Sequence, residues 1–178
     1  TFGTPVPMPG SVSISLDANG EPENFYADGG VYYVINNNCG YDGDLELALI
    51  PESFRTDVLK ETLDSKGVLI ENSEVELAAF ALLFEFDGDQ KHIRHVLYNC
   101  SASRPGIEGK TNEDSKEVQT EKLSLKAVSL ANGMVKAKTG NTTDATTYAD
   151  WYKAVYVPAA ESNVATHSAS KPAKAVKE

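Results

Sequence analysis

The feature that most constrains this chain is a recurring alternation of apolar and polar side chains. It runs through Ser11 to Leu16, Tyr41 to Ile50 and Lys122 to Ala127. Successive side chains of a strand point to opposite faces, so this period is typical of strands with one buried face. Asn132-Gly133 joins the last segment to Met134–Lys138 and predicts a hairpin, because Asn-Gly is a preferred hairpin turn. We therefore predict a mainly β fold.

Two further segments suit strands for their composition rather than their period. Val31 to Ile35 is dense in β-branched and aromatic residues. Val75 to Phe86 is apolar at nearly every position, which is also compatible with a buried helix. Asp87-Gly88 follows it as a turn signal, and Lys91 to Asn99 is again rich in strand-forming residues. We therefore prefer a long hairpin over a helix.

Two short helices complete the predicted fold. Pro51 suits the first turn of a helix, and Phe54 and Val58 lie four residues apart, so we predict a helix that ends near Lys60. Asp144 can cap a second helix. Residues at helical spacing follow this cap and are expected to pack on the sheet: Tyr148, Trp151, Tyr152 and Val155.

The composition changes after residue 158. From Ala159 onward the chain is rich in Ala, Ser, Thr and Lys and has almost no large apolar side chain. Such a segment buries too little surface to offset the entropy of ordering it. We predict one β domain over residues 1–158 and a disordered tail over 159–178. Since Thr1 is not an initiator methionine, we also expect further residues upstream.

The charge of the chain argues against a role in gripping nucleic acid. The formal net charge is −10, and the first 158 residues hold 13 basic and 24 acidic side chains. Affinity for a phosphate backbone comes largely from Lys and Arg that displace counterions. We therefore expect an acidic body that repels DNA. No stretch approaches the roughly twenty apolar residues that a membrane span requires, so we expect no membrane association.

The sequence carries no recognisable catalytic motif. It lacks a glycine-rich phosphate loop, a G-x-S-x-G turn and an H-E-x-x-H helix, so we expect neither enzymatic activity nor a cofactor. Cys39 and Cys100 are far apart, and we interpret them as reduced, buried thiols. The alternative is one structural disulfide in a secreted domain.

Two groups of residues could in principle bind a metal. His92 and His95, with Cys100 nearby, are potential zinc ligands, but residues three apart on a strand point to opposite faces. The second group alternates with Leu45, Leu47 and Leu49, and it consists of Asp42, Asp44 and Glu46. It lacks the remaining ligands of a calcium loop. We prefer polar strand faces for both groups.

Several short stretches in this order and spacing carry a family resemblance. They are Phe25-Tyr26-Ala27-Asp28, Gly43-Asp44-Leu45-Glu46, Phe54-Arg55-Thr56-Asp57, Phe84-Glu85-Phe86-Asp87-Gly88, Arg94-His95-Val96, Tyr98-Asn99-Cys100, Ser103-Arg104-Pro105, Val135-Lys136-Ala137-Lys138-Thr139 and Trp151-Tyr152. Together, across Thr4 to Val157, they resemble the major tail protein family of long, non-contractile-tailed bacteriophages (siphoviruses) of Gram-positive hosts. Members of this family carry a segment before the stretch that matches Gly3-Thr4-Pro5.

The resemblance implies a structural role in a virus particle. It implies a β-sandwich or half-barrel with a flanking helix, which closes into a larger barrel when copies assemble into hexameric rings. The rings would stack into the tail tube of the virion after synthesis in the host bacterial cytoplasm. The implied partners are further copies of the chain, a tape measure protein, a tail terminator, and genomic DNA that passes without specific binding.

Two sets of residues follow as candidate sites of such a tube. We expect an acidic lining of the lumen, formed by strands that carry Asp42, Asp44, Glu46, Glu74 and Glu76. We interpret the polar segment Ser101 to Lys116 either as a contact between rings or as an ordinary surface loop. Its candidate contact residues are Arg104, Pro105, Glu108, Lys110, Glu113 and Asp114.

Two other functional classes remain as alternatives. One is a monomeric β-sandwich binding module, for example for carbohydrate, with exposed aromatic rings as stacking platforms. The helical spacing of Trp151 and Tyr152 favours core packing instead. The weaker alternative is a metal-dependent hydrolase, for which the ligand spacing is missing.

Overall fold

The computed structural model describes residues 1–27, 29–35, 37–107 and 119–159 of the chain. These residues form a mainly β protein with two short helices, as the sequence predicts. The strands are β1 (Ser11–Asn19), β2 (Glu23–Ala27), β3 (Gly30–Ile35), β4 (Gly40–Leu47), β5 (Thr62–Leu63), β6 (Leu69–Ile70), β7 (Phe80–Glu85), β8 (Arg94–Ala102), β9 (Glu121–Ala127) and β10 (Lys136–Lys138). The helices are α1 (Glu52–Asp57) and α2 (Ala145–Asp150).

Six strands form one antiparallel sheet that curls into a half-barrel. Its order is β1-β4-β9-β8, and both β7 and β10 pair with β8. In the described part of the chain, β1, β7 and the three-residue β10 each pair on one side only, and β1 and β7 are the two long borders of the sheet. The half-barrel form of the predicted fold is therefore confirmed. Two small hairpins, β2–β3 and β5–β6, lie outside this sheet.

The prediction that β9 and β10 pair as a hairpin is wrong, because β10 pairs with β8. Asn132-Gly133 does form a turn, in which the Asn132 side chain accepts a hydrogen bond from the Met134 N–H. The chain then returns to β8 rather than to β9, because residues 129–134 loop out of the sheet. The Tyr98 N–H donates to the Val135 carbonyl, and β10 continues along the same side of β8 that β9 occupies.

The predicted hairpin of β7 and β8 is present but shorter than expected. The strand begins at Phe80, so residues 75–79 are not part of it. The connection spans residues 86–93 instead of two residues. Asp89 organises it, because its carboxylate accepts hydrogen bonds from the Lys91 and Ile93 N–H groups. The predicted exposed loop also begins later, since Ser101 and the buried Ala102 belong to β8.

The inner face of the half-barrel holds the larger core. Leu45 and Leu47 of β4 pack there with Leu123 of β9, and α1 covers them with Phe54. Leu49 does not join them as predicted and is 68% exposed. The reason is that β4 ends at Leu47, so the alternation of faces does not extend to Leu49.

The outer face of the sheet carries a second core around the second helix. Asp144 caps α2 by accepting a hydrogen bond from the Thr147 N–H, as predicted. The helix ends at Asp150, and Trp151 directly after it is buried against Val96 and Tyr98 of β8. The aromatic stripe therefore packs on the sheet through Trp151.

The two cysteines lie in different environments, and both are free thiols. Cys100 of β8 is buried, and this burial raises the pKa of its thiol to about 12. The prediction of a buried Cys39 is wrong, because this residue lies in the exposed connection between β3 and β4.

Candidate assembly surfaces

The first candidate surface is the outer face of β4, which we call the acidic ladder: Asp42, Asp44 and Glu46. Hydroxyl groups of neighbouring strands donate to it. Ser124 bonds Asp44 at 2.8 Å, and Ser13 bonds Glu46 at 3.0 Å. Thr120 also bonds Glu46, at 2.6 Å. The hydrogen bonds from Thr120 and Ser13 lower the pKa of Glu46, so this carboxylate is ionised at neutral pH.

Lysines of β9 lie beside the acidic ladder. The register places Lys126 opposite Asp42 and Lys122 opposite Glu46, and the Lys126 Nζ lies 3.8 Å from the Asp42 carboxylate. Two of the three carboxylates thus have a cation across the strand pair. The acidic ladder is negatively charged, but the two lysines reduce its negative electrostatic potential below that of the three carboxylates alone.

The remaining two candidates for an acidic lining lie elsewhere. Glu74 and Glu76 are exposed, and the segment that holds them precedes β7 without being a strand. They do not lie on a strand as predicted, because the Glu74 N–H donates to the Asn72 side chain in a local turn, and β7 begins only at Phe80. That they face a channel stays a prediction. The structure does not place these two residues on the acidic ladder.

The predicted contact loop is described only in part. The Arg104 guanidinium donates to the Glu71 carboxylate at 2.7 Å and to the Asn72 carbonyl at 2.8 Å. Pro105 is half-buried, and Ile107 beyond it is fully exposed. The other four candidates lie outside the described residues: Glu108, Lys110, Glu113 and Asp114. Arg104 therefore contacts its own chain.

The most exposed apolar surface is one that the sequence analysis missed, the hairpin of β2 and β3. We call it the aromatic hairpin. Only its second strand was predicted, although Gly29-Gly30 between two aromatic runs was an available turn signal. Its large side chains are exposed to an unusual extent: Phe25 46%, Tyr26 66%, Tyr32 70%, Tyr33 48% and Val34 49%.

The aromatic hairpin has little support from the other elements that the structure describes. The rings of Phe25 and Tyr33 stack on each other at 4.7 Å between centroids. Among the described elements, however, neither strand packs extensively on anything but the other. A two-stranded hairpin is marginally stable alone in water, and clustered exposed apolar side chains commonly mark an interaction surface. This hairpin is therefore the strongest candidate for contact with another molecule.

A second apolar feature lies where the two borders of the half-barrel approach each other, and we call it the seam cleft. It has a volume of about 170 Å³. Ile14 and Leu16 of β1 form one wall, and Phe84 of β7 and Phe86, which directly follows β7, form the other. Its remaining lining residues are Tyr41, His95, Val96, Leu97 and Lys136. The seam cleft thus joins the two unpaired borders of the sheet.

The three arginines of the chain all bind carboxylates of the chain itself. Arg55 pairs with Glu61 and Glu121, and Arg104 pairs with Glu71. Arg94 pairs with Glu85 at 3.0 Å and lies over the rings of Tyr148 and Tyr152. Because each guanidinium is engaged internally, none is available as a bidentate clamp for phosphate. The motifs around these arginines therefore support the fold.

The residues considered for other functions have structural roles as well. Trp151 is 2% exposed, so it cannot act as a stacking platform for a ligand. His95 of β8 stacks on Phe84 of the neighbouring β7, whereas His92 lies in the loop before β8. Over the described ranges, no three His, Cys, Asp or Glu side chains are placed to hold a metal ion. Nor does any helix there have the length and apolar character needed to cross a membrane.

The comparisons with known proteins gave no match, whether to family models, to curated proteins or to solved structures.

Proposed function

We propose that the chain is a structural subunit that assembles with copies of itself into stacked rings, forming the tail tube of a long-tailed bacteriophage. The observation that carries this proposal is the curled sheet whose borders, β1 and β7, are both unpaired in the described residues. Unpaired strand edges recruit further strands, and a closed ring of copies removes them. The resemblance of the sequence to major tail proteins supplies the hexameric symmetry and the virion location.

The charge distribution supports a passage that DNA does not bind. Duplex DNA carries about one phosphate charge per ~1.7 Å of its axis, so a lumen lined by carboxylates repels it along its whole length. The acidic ladder is one candidate lining, and the exposed Glu74 and Glu76 are another. The internal pairing of the arginines agrees with this role, since none is available to grip phosphate.

Neutralising the two candidate linings separately tests which one faces DNA. One variant carries Asp44→Asn and Glu46→Gln, and the matched control carries Glu74→Gln and Glu76→Gln. We expect slower genome delivery, at unchanged tube length, for the variant whose residues line the lumen. Unchanged delivery in both variants would contradict an acidic lining formed by these residues.

The assembly state of the chain tests the proposal as a whole. Light scattering across a concentration series, followed by negative-stain microscopy of the concentrated sample, distinguishes rings and tubes from single copies. The proposal predicts rings or tubes with a central channel. Single copies at every concentration would contradict it.

The exposed rings of the aromatic hairpin also fit a second candidate, a monomeric binding module that stacks on carbohydrate. Tyr26 and Tyr32 would be the platforms in place of the buried Trp151. This candidate predicts single copies in the concentration series, together with binding on a glycan array that Tyr32→Ser abolishes. The tape measure protein and the tail terminator are partners only under the first proposal.

A further inference from the structure

We propose that an aromatic ring of the hairpin of one copy inserts into the seam cleft of the next copy. This inference rests on the proposed function, because it names the contact through which copies would assemble. The two surfaces lie on one chain, and no residue of the hairpin lines the seam cleft of its own copy. Each surface is therefore available to a neighbour.

The size and chemistry of the seam cleft match one aromatic ring. An apolar cavity of about 150 Å³ can hold a benzene molecule, and the seam cleft has a volume of about 170 Å³. Its walls are aliphatic on β1 and aromatic on β7, and Phe86 is 48% exposed at the rim. Tyr26 and Tyr32 are the most exposed rings of the hairpin, so they are the natural occupants.

The cleft already contains aromatic pairs to which an inserted ring could add. Phe86 meets Phe84 edge-on at 5.6 Å between ring centroids, and it meets His95 at 5.8 Å. The Nζ of Lys136 lies 4.3 Å from the centroid of the Tyr41 ring. An edge-to-face or stacked contact between rings stabilises beyond the apolar area that it buries. A ring is therefore favoured over an aliphatic side chain of similar volume.

The charges of the two surfaces are complementary. The first 54 residues contain no Lys, Arg or His, the hairpin begins with Glu23, and Glu21 directly precedes it. Lys136 borders the seam cleft, and Lys138 lies beside the cleft residue His95 in the register of β10 and β8. An anionic hairpin that carries aromatic rings thus meets an apolar cleft with a cationic rim. Such complementarity steers association and fixes the register of the contact.

The contact is head to tail, because it joins two different surfaces of the same chain. A repeated head-to-tail contact generates a closed ring when the rotation between copies closes, and an open filament otherwise. Ring closure is the symmetry that the proposed function requires. The contact also places the aromatic hairpin across the two unpaired borders of the neighbouring sheet.

Variants that damage one surface each provide the test. Tyr32→Ser alters only the hairpin, and Phe86→Ser alters only the cleft. Leu49→Ser is the control, since Leu49 is 68% exposed and belongs to neither surface. Sedimentation velocity is measured for each variant alone and for an equal mixture of the first two, after circular dichroism of dilute samples shows that each variant has the secondary structure of the wild type.

We expect the wild type and Leu49→Ser to assemble, and each of the two other variants to associate at least tenfold more weakly. Their mixture is expected to form a discrete two-copy species, because only one intact hairpin and one intact cleft can meet in each pair. As a second measurement, Glu23→Lys and Lys136→Glu are each expected to weaken assembly and to restore it when combined in one chain.

The possible contrary results separate the two proposals. If the wild type assembles and Phe86→Ser assembles equally well, the inference is overturned and the proposed function stands. A mixture without a two-copy species would also overturn the inference and leave the proposed function standing. So would a lower melting temperature of single copies of Tyr32→Ser, because the Tyr32 ring would then dock on its own chain. A wild type that remains a single copy at every concentration overturns the proposed function and the inference with it.

Discussion

The six-stranded sheet and the aromatic hairpin differ in where their apolar side chains lie: those of the sheet are buried in its cores, and those of the hairpin are exposed to solvent. The sheet carries a core on each face, under α1 at Leu47 on one side and under the chain after α2 at Val96 on the other. The hairpin presents Tyr26 and Tyr32 to solvent and packs extensively only on itself. Residues of the sheet therefore decide whether a copy folds, whereas residues of the hairpin are free to serve contacts between copies.

The largest expected effect comes from the core of the outer face. Trp151→Ala removes a ring that is 2% exposed, stacks on Tyr156 and donates a hydrogen bond to the His95 carbonyl. Loss of a buried aromatic side chain costs about 3–5 kcal/mol. Denaturant unfolding of the variant should show a loss in this range. A loss below about 1 kcal/mol, the typical value for a single substitution, would mean that this core does not hold the sheet.

A pair of glycines compares the two regions directly. A Cβ at Gly43 in β4 would overlap the Ser15 carbonyl of β1, whereas a Cβ at Gly30 in the hairpin meets nothing. Gly43→Ala should lower the free energy of unfolding by about 1–3 kcal/mol, as overpacking does. Gly30→Ala, measured in the same denaturant series, should be neutral or slightly stabilising. Equal effects at both positions would contradict the close approach of β1 to β4.

The anchor of the second helix should have a smaller effect. Arg94 pairs with Glu85, donates to the Tyr148 carbonyl and lies over the Tyr148 and Tyr152 rings. Arg94→Ala should cost on the order of 1–2 kcal/mol in thermal unfolding, the size of a partly desolvated cation–π contact. Arg94→Lys should recover less than half of it, because an ammonium cannot reproduce the planar fork. If Arg94→Lys recovered the full stability, the positive charge of Arg94 and not its planar shape would be what stabilises the fold.

The pH dependence of unfolding should report on the seam cleft. Partial burial, followed by the charges of Lys138 and Lys136, lowers the pKa of His95 below the ordinary histidine value of about 6.5, while Asp89 opposes this shift. The unfolded chain then binds more protons than the folded chain, so stability is full above pH 6.5 and falls as the pH drops through the folded pKa. The melting temperature should decrease over this window, and less so in His95→Gln. Identical pH profiles would contradict the partly buried position of His95.

The smallest expected effect on folding comes from the hairpin. Tyr32→Ser should change the free energy of unfolding of a dilute, single copy by less than about 0.5 kcal/mol, as exposed substitutions do. The same change is expected to weaken assembly strongly, so the two readouts move independently. A large loss of stability in the dilute sample would show that the ring already has a partner within its own chain.

Most of the sheet could be predicted because its strands carry their own periodic signal. The alternation in β1, β4 and β9 and the cap at Asp144 each depend on local sequence, and each is present. The pairing of β10 could not be predicted in this way. Asn132-Gly133 specifies a turn, but the partner of the strand after the turn is decided by contacts with Tyr98 of β8, which is distant in sequence.

The candidate surfaces were predictable only in part. The face of Asp42, Asp44 and Glu46 follows from the two-residue period and is as expected. The aromatic hairpin was missed because a two-stranded element without a buried face lacks alternation. The seam cleft could not be found from sequence, since its walls come from strands about seventy residues apart that meet only when the sheet curls.

Amide hydrogen exchange across a concentration series tests the central claim most directly, because it observes the hairpin and the sheet in the same sample. In dilute solution the account predicts fast exchange in β2 and β3 and slow exchange in β9. On concentration, the amides of β2 and β3 should become protected as copies assemble, while those of β9 stay unchanged. Protection of β2 and β3 that is independent of concentration would contradict the claim that the hairpin finds its partner in another copy.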